Sequence, residues 1–201
     1  GPFSISTPFL SKIGTAVDRA SHTSGAASSI DEMVRFHLTK ARTLLAAGAH
    51  LLAFETIASV EEAVAIGEVM RALPEAEAWV AFTCKDDETA GGGDALQDCL
   101  RPLNAVPNVT AVGVNCVPPL LVEPLLRQVT QAVAGKEIVV YPNSGERWDS
   151  REGERRWVGE RESSVPGLAR SWQELGATII GGCCRVLPDE IAAIRSQVVS
   201  R

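Results

Sequence analysis

Residues 110–116 read Thr-Ala-Val-Gly-Val-Asn-Cys, a continuous apolar run that ends in an amide and a thiol. Two later runs have the same form: residues 137–143 read Glu-Ile-Val-Val-Tyr-Pro-Asn, and residues 177–184 read Ala-Thr-Ile-Ile-Gly-Gly-Cys-Cys. Short apolar runs without alternation are typical of strands buried on both faces of a parallel sheet. Because the carboxyl ends of parallel strands meet at one edge, the polar residues that follow these runs are predicted to converge.

Outward from these runs, helical and strand patterns alternate. Two more strands are predicted at residues 50–55 and 78–83, and strand cores are expected at 110–115, 137–141 and 177–181. Ser-x-x-Glu capping boxes at residues 29–32 and 59–62 each open an apolar-periodic helix. The predicted helices cover residues 30–47, 60–73, 94–105, 119–134, 165–175 and 188–199. This alternation predicts an α/β fold with repeated βα units.

The charge balance restricts the partners. The chain of 201 residues has a net charge of -6 and is 45% hydrophobic, and its pI is about 5.2. No basic stripe is present, which argues against a nucleic-acid or anionic-membrane partner and favours small neutral or zwitterionic substrates.

The segment 142–163, which contains Trp148 and Trp157, carries charges of both signs and is predicted to be a solvated loop. With no apolar run of about 18 residues and no secretory signal, the cytoplasm is the expected compartment.

Five cysteines, an odd number, argue against a disulfide framework and favour metal binding or thiolate chemistry. Cys116, Cys183 and Cys184 follow predicted strands, and three thiolates match a catalytic zinc site that keeps its fourth position open. The alternative is that Cys116 is a small buried hydrophobe and that the adjacent pair has no metal role. Cys84 and Cys99 are not assigned to the metal.

Several segments carry a family resemblance. In order along the chain they are Phe54-Glu-Thr-Ile57, Glu61-Glu-Ala63, Phe82-Thr-Cys-Lys-Asp86, Gly113-Val-Asn-Cys116, Tyr141-Pro-Asn-Ser-Gly-Glu146 and Gly181-Gly-Cys-Cys184. Together they resemble the homocysteine S-methyltransferase family over nearly everything from residue 29 onward. The resemblance implies a TIM-type (β/α)8 barrel, of which this chain would contain about five βα units, strands 4 to 8. The segment 141–146 is similar to the branch that uses S-methylmethionine or S-adenosylmethionine.

The resemblance also implies a site and a reaction. Cys116, Cys183 and Cys184 would hold Zn²⁺, and Glu55 would bind the amino group of homocysteine. The alternative for Glu55 is a structural hydrogen-bond acceptor to the following loop. By their residue type and position, Asn115 and Asn143 are predicted either to bind substrate or orient the metal ligands or to serve local turn chemistry. The implied activity is transfer of a methyl group from a sulfonium donor to homocysteine, which gives methionine. The expected partners are these small molecules, without nucleic acid or membrane.

The domain organisation implied by the resemblance is one homocysteine-binding barrel domain over residues 1–201, with an atypical segment at 1–28 and a family-like part at 29–201. The first barrel strands are expected to be absent. A second hypothesis is therefore a catalytically impaired fragment or isoform that acts as a zinc-binding or interaction module. A third is a barrel enzyme with redox-active cysteines. An exposed parallel edge favours self-association, so a homo-oligomer is one expected state.

Overall fold

The main element of the fold is a five-stranded parallel sheet. The computed structural model describes residues 29–149, 156–161 and 165–198. The sheet contains, in spatial and sequence order, β1 (Leu51–Ile57), β2 (Glu77–Phe82), β3 (Val109–Asn115), β4 (Glu137–Tyr141) and β7 (Ile179–Ile180). A separate antiparallel hairpin consists of β5 (Arg147–Asp149) and β6 (Arg156–Val158). Residues 4–28, which the sequence patterns do not assign, lie outside the described residues.

Six α-helices alternate with the strands in the described part of the chain. They are α1 (Ile30–Ala46), α2 (Val60–Arg71), α3 (Leu96–Asn104), α4 (Val122–Ala132, preceded by a 3₁₀ turn at Pro119–Leu121), α5 (Val165–Glu174) and α6 (Pro188–Gln197). The predicted α/β fold with a parallel sheet is confirmed. Among the described helices, none has the length and apolar character needed to cross a membrane.

Two predicted elements differ from the structure. The strand expected at residues 177–181 contains only two paired residues. The segment 142–163, predicted to be a loop, contains the β5–β6 hairpin, in which Trp148 and Trp157 are direct cross-strand partners. Their ring centroids lie 5.4 Å apart in a T-shaped arrangement. Such a pair stabilises a short hairpin, and the mixed charges around it concealed this pattern in the sequence.

The two predicted capping boxes are not equivalent. The Ser29 side chain accepts from the Glu32 N–H, and the Glu32 carboxylate accepts from the Ser29 N–H, so the first box is complete. Ser59 accepts from the Glu62 N–H. The Glu62 carboxylate, however, lies 3.1 Å from His37 Nε2 on the preceding helix, and both side chains are buried. A tertiary contact has therefore replaced half of the second box.

The sheet has two chemically different faces. Phe54, Val80, Val114 and Val140 belong to the hydrophobic core that packs against the helices. Sequential parallel strands with right-handed crossovers place all their helices on one face. The opposite face carries the alternate positions, including Glu55, Trp79 and Tyr141.

Side-chain proximity shows that this second face is concave. Tyr141 of β4 bonds to Trp79 of β2, and its hydroxyl lies near enough to the Glu55 carboxylate of β1 to affect the pKa of that group. Neighbouring strands are about 4.8 Å apart, so β1 and β4 would be about 14 Å apart in a flat sheet. Side chains standing perpendicular to a flat sheet would not meet over that distance. The strands therefore curve around the face that carries these three residues.

Gly113 is required at the centre of the sheet. A Cβ at this position would overlap the backbone carbonyl oxygen of Val139 on β4. The obstruction is main chain, which cannot rotate away as a side chain can. The β3–β4 pairing that leads to Cys116 therefore depends on a residue without a side chain.

We predict that Gly113→Ala lowers the free energy of unfolding by at least about 2 kcal/mol, because the strands must separate to admit the methyl group. The matched control is Gly167→Ala in α5, where an added Cβ meets nothing within 4 Å. Its stability should be unchanged or raised by up to about 1 kcal/mol. Urea denaturation measures both values. Equal stabilities for the two variants would contradict the role given to Gly113.

Candidate metal centre

Three cysteine sulfurs meet at the carboxyl edge of the sheet. Cys116 follows β3, and Cys183 and Cys184 follow β7. All three Sγ atoms lie within 4.8 Å of one another. Cys184 Sγ is 3.7 Å from Cys116 Sγ and 3.9 Å from Cys183 Sγ. The structure therefore brings together the three residues that the sequence pattern selected.

Cys116 and Cys183 are joined as a disulfide, and Cys184 is free. The sequence predicts three thiolates here instead. Zinc–sulfur bonds of about 2.3 Å in a tetrahedral shell place sulfurs about 3.8 Å apart. Both separations that involve Cys184 match this value. Because a disulfide sulfur is not a thiolate, metal binding requires reduction of the Cys116–Cys183 bond, and the two states are mutually exclusive.

Asn143 supports the Cys116 loop. Its backbone N–H donates to the Val117 carbonyl at 3.0 Å, and its Nδ2 donates to the Cys116 carbonyl at 3.2 Å. Its Oδ1 accepts from the Gly145 N–H at 2.8 Å. The side chain is largely buried. The observed role of Asn143 is thus to fix the backbone that carries a candidate metal ligand.

The same turn also supports the cysteine pair. The Cys183 N–H donates to the Pro142 carbonyl at 2.7 Å, and the Ser144 N–H donates to the Cys184 carbonyl at 3.1 Å. Residues 142–144 therefore lie between the two cysteine loops and hydrogen-bond to both. The relative position of the sulfurs is set by main-chain bonds as well as by the sheet.

Ion pairs near the cysteines involve residues that the sequence assigned to a solvated loop. Arg185, directly after Cys184, donates from Nε to Glu146 Oε2 at 2.6 Å. This bond lowers the pKa of the Glu146 carboxyl. Arg161 pairs with Glu190 and also donates to the Arg185 carbonyl. No sequence signal distinguished Arg161 from the other charges of that segment.

Glu55 lies on the concave face beside Tyr141. Trp79 Nε1 donates to Tyr141 Oη at 3.2 Å, and the Tyr141 hydroxyl lies near enough to the Glu55 carboxylate for each group to affect the pKa of the other. Burial raises the pKa of Glu55, and the neighbouring Tyr141 hydroxyl opposes that rise. Burial, together with the charge of Glu55, raises the pKa of Tyr141 well above its usual range. The Tyr141 hydroxyl therefore stays protonated at neutral pH.

Asn115, predicted to contact substrate or orient a ligand, has a different observed partner. Its Oδ1 accepts from the Thr56 N–H at 2.9 Å, and its Nδ2 donates to Thr56 Oγ1 at 3.0 Å. Asn115 is buried and directly precedes Cys116. It therefore connects the ends of β3 and β1.

The two remaining cysteines do not reach the sulfur cluster. Cys84 and Cys99 are buried and belong to the hydrophobic core. Burial raises the pKa of each thiol to about 12. Both thiols are therefore protonated at neutral pH.

These features define a class: an α/β protein with a parallel sheet whose carboxyl edge gathers three cysteines. A family model described as homocysteine S-methyltransferase matches residues 9–198. The chain therefore belongs to the homocysteine S-methyltransferase family.

Individual relatives agree with this membership. Homocysteine S-methyltransferase 1 of Arabidopsis thaliana is 40% identical over 177 residues, which cover 86% of this chain and 53% of the relative. The chain thus spans about half the length of the curated relatives it matches.

The fold is also similar to two solved structures of the homocysteine methyltransferase MmuM from Escherichia coli. The metallated form has a TM-score of 0.74 at 32% identity and covers 91% of this chain and 57% of that one. The oxidized form has a TM-score of 0.73 at 34% identity, and the match covers 86% of this chain and 54% of that chain.

We predict that the five cysteines of this chain fall into groups that react at different rates with a disulfide reagent at about pH 8. Before reduction, Cys184 should react alone, since Cys116 and Cys183 are bonded to each other and Cys84 and Cys99 are buried with a pKa of about 12. After mild reduction, three should react quickly. Denaturant should expose the last two. Rapid reaction of all five in the folded, reduced protein would contradict this arrangement.

Proposed function

We propose that the protein transfers a methyl group from a sulfonium donor to the sulfur of homocysteine, giving methionine, with Cys116, Cys183 and Cys184 as ligands of Zn²⁺. The observation that carries the proposal is the meeting of three sulfurs from two distant strand ends in a member of this family. Three protein ligands leave a fourth tetrahedral position for a substrate sulfur.

We further propose that the sheet is part of a TIM-type (β/α)8 barrel and supplies about five of its βα units within one domain. The sequential strand order and the concave face support this proposal. Apolar side chains are also exposed on both edge strands, with Leu51 of β1 at 40% and Ile179 of β7 at 37%. Parallel strands are normally buried on both faces and paired at both edges. Flanking strands would bury these residues.

The donor set suits zinc. Thiolates are soft ligands, and a tetrahedral site made of sulfur is typical of this metal. When bound, Zn²⁺ supplies the positive charge that keeps a coordinated thiol deprotonated at neutral pH. The residues of the chain provide the geometry: Asn143 holds the Cys116 carbonyl, and the turn at residues 142–144 holds the backbone of Cys183 and Cys184.

The proposed reaction is an in-line displacement. A bond forms between the homocysteine sulfur and the methyl carbon of the donor as the bond from that carbon to the donor sulfur breaks. The electron pair stays with the donor sulfur, so the cation leaves as a neutral thioether, and the thiol proton of homocysteine is released to solvent. Enzymes accelerate such a step mainly by orienting the reactants. S-methylmethionine and S-adenosylmethionine both have the required sulfonium.

The proposed role of Glu55 is to bind the homocysteine ammonium. Its carboxylate is on the concave face beside Tyr141, whose hydroxyl accepts a hydrogen bond from Trp79. A charge-assisted hydrogen bond between a carboxylate and an ammonium is short and about twice as strong as a neutral one. Two anchors, the amino group and the sulfur, would then fix the substrate.

We predict that the reduced protein binds one equivalent of zinc and that loss of any of the three ligands weakens binding. Removal of an outer-shell partner alone costs roughly 10–100-fold in affinity, so Cys116→Ser, Cys183→Ser and Cys184→Ser should each cost more. Competition with a chromophoric chelator measures the affinity. Cys84→Ala is the control and should bind as the parent does.

Full zinc affinity in any of the three serine variants would refute the ligand assignment. Stoichiometric zinc without methyl transfer to homocysteine would support the metal-binding module instead of the enzyme. Reversible thiol oxidation without zinc binding would support a redox role.

We predict that Glu55→Gln weakens homocysteine binding by about tenfold or more, because a charged hydrogen bond is lost, while zinc content is unchanged. In the parent protein, affinity should fall as the pH drops through the raised pKa of Glu55, since the carboxylate is ionised only above it. The glutamine variant should keep only the pH dependence that comes from release of the thiol proton on binding. Titration calorimetry on zinc-loaded protein measures both effects, and equal affinities at every pH would make Glu55 structural.

A further inference from the structure

The end of β1 contains a bulge beside Glu55. Phe54 pairs with Val80, and pairing resumes at Ile57 with Phe82, so three steps along β1 match two along β2. Phe54 and Ile57 are both buried in the helix-side core. In a regular strand, residues three apart face opposite sides. The extra residue therefore leaves two consecutive residues, Glu55 and Thr56, outside that core.

The bulge is held in a conformation that its residue type disfavours. Thr56 has φ = 63°, in the left-handed region. A β-branched residue rarely adopts this conformation, and glycine is the usual choice at such a position. A threonine there requires compensating contacts from its surroundings.

Asn115 supplies those contacts. Its amide oxygen accepts from the Thr56 N–H at 2.9 Å and its amide nitrogen donates to the Thr56 hydroxyl at 3.0 Å, so the N–H and the hydroxyl of the strained residue are bonded to one side chain. We call this pair of bonds the Asn115–Thr56 clasp. It passes over β2, which ends at Phe82 and lies between β1 and β3. Asn115 itself is 1% exposed and cannot easily adopt another orientation.

We infer that Asn115 is a positioning residue that fixes the Glu55 carboxylate relative to the cysteine cluster by holding Thr56. The inference rests on the proposed role of Glu55 as the ammonium-binding group. Glu55 directly precedes Thr56, and Cys116 directly follows Asn115 with φ = 52°. The clasp thus joins the two strand ends that carry the proposed amino and sulfur anchors of one substrate. The separation of these anchors determines which thiol fits.

The orientation of Asn115 distinguishes this role from direct substrate contact. Its oxygen and its nitrogen both face Thr56. Its effect on the substrate is therefore exerted through Glu55, and the loss of the clasp should mimic the loss of the Glu55 charge. Loss of a direct contact to another part of the substrate would add to the Glu55 effect.

The test compares the binding of two thiols to zinc-loaded protein by titration calorimetry. One is homocysteine, and the other is the mercaptocarboxylic acid of the same length that lacks the amino group. The ratio of the two dissociation constants reports recognition of the ammonium alone. The variants are Asn115→Leu, which keeps the size and removes both bonds, and Thr56→Val, which removes the hydroxyl. Thr56→Ser is the matched control because it keeps the hydroxyl.

The parent protein should prefer homocysteine, and Glu55→Gln should abolish the preference. Asn115→Leu and Thr56→Val should each reduce it by about tenfold, whereas Thr56→Ser should retain it. The double variant Asn115→Leu/Glu55→Gln should bind homocysteine no more weakly than Glu55→Gln alone, since both changes act on one interaction. If Asn115→Leu does not fold, Thr56→Val against Thr56→Ser decides the question.

Two failures are distinguishable. A parent protein without any preference for homocysteine would refute the proposed role of Glu55, and the inference with it. A preference that Glu55→Gln abolishes but that Asn115→Leu and Thr56→Val leave intact would overturn the clasp alone.

Discussion

The handedness of the crossover between parallel strands is the constraint on which this molecule depends. Because successive strands are joined in the same sense, the helices pack on one face of the sheet and the other face curves inward. Every strand of the parallel sheet then ends at the same edge. Residues as distant in sequence as Glu55, Cys116 and Cys183 are brought to that edge by the fold, without a local motif joining them. A site assembled in this way can change its chemistry at one strand end while the helix-side core stays intact.

Backbone groups in the loops at that edge need hydrogen-bond partners as much as those in strands do. Here the partners are other loops of the site. The turn at residues 142–144 satisfies groups next to Cys116 on one side and next to Cys183 and Cys184 on the other. The Asn115–Thr56 clasp does the same between β1 and β3. The same hydrogen bonds therefore set the geometry of the site and stabilise its loops, which explains why Asn115 and Asn143 are buried and hydrogen-bonded.

The sequence predicted the features that depend on short stretches of the chain. Apolar runs and the Ser29 cap located strands and helices, and strand ends selected the three cysteines, because each signal lies within a few residues. It did not predict what arises between distant residues. The Glu62 carboxylate contacts His37 on the preceding helix and does not complete its capping box. Asn115 hydrogen-bonds to Thr56 across the intervening strand. The Trp148–Trp157 hairpin was hidden by charges of mixed sign. The Cys116–Cys183 disulfide was also not expected, because proximity alone does not reveal an oxidation state.

The separation of 67 residues between Cys116 and Cys183 has a consequence for the order of folding. Closing a chain segment of that length has an entropic cost that local contacts must first offset. The sulfurs can meet only after β3, β4 and β7 have paired. In a zinc finger, by contrast, closely spaced ligands let the ion initiate folding. An ion bound here would slow unfolding of an already assembled sheet, and apoprotein and holoprotein would share one folding route.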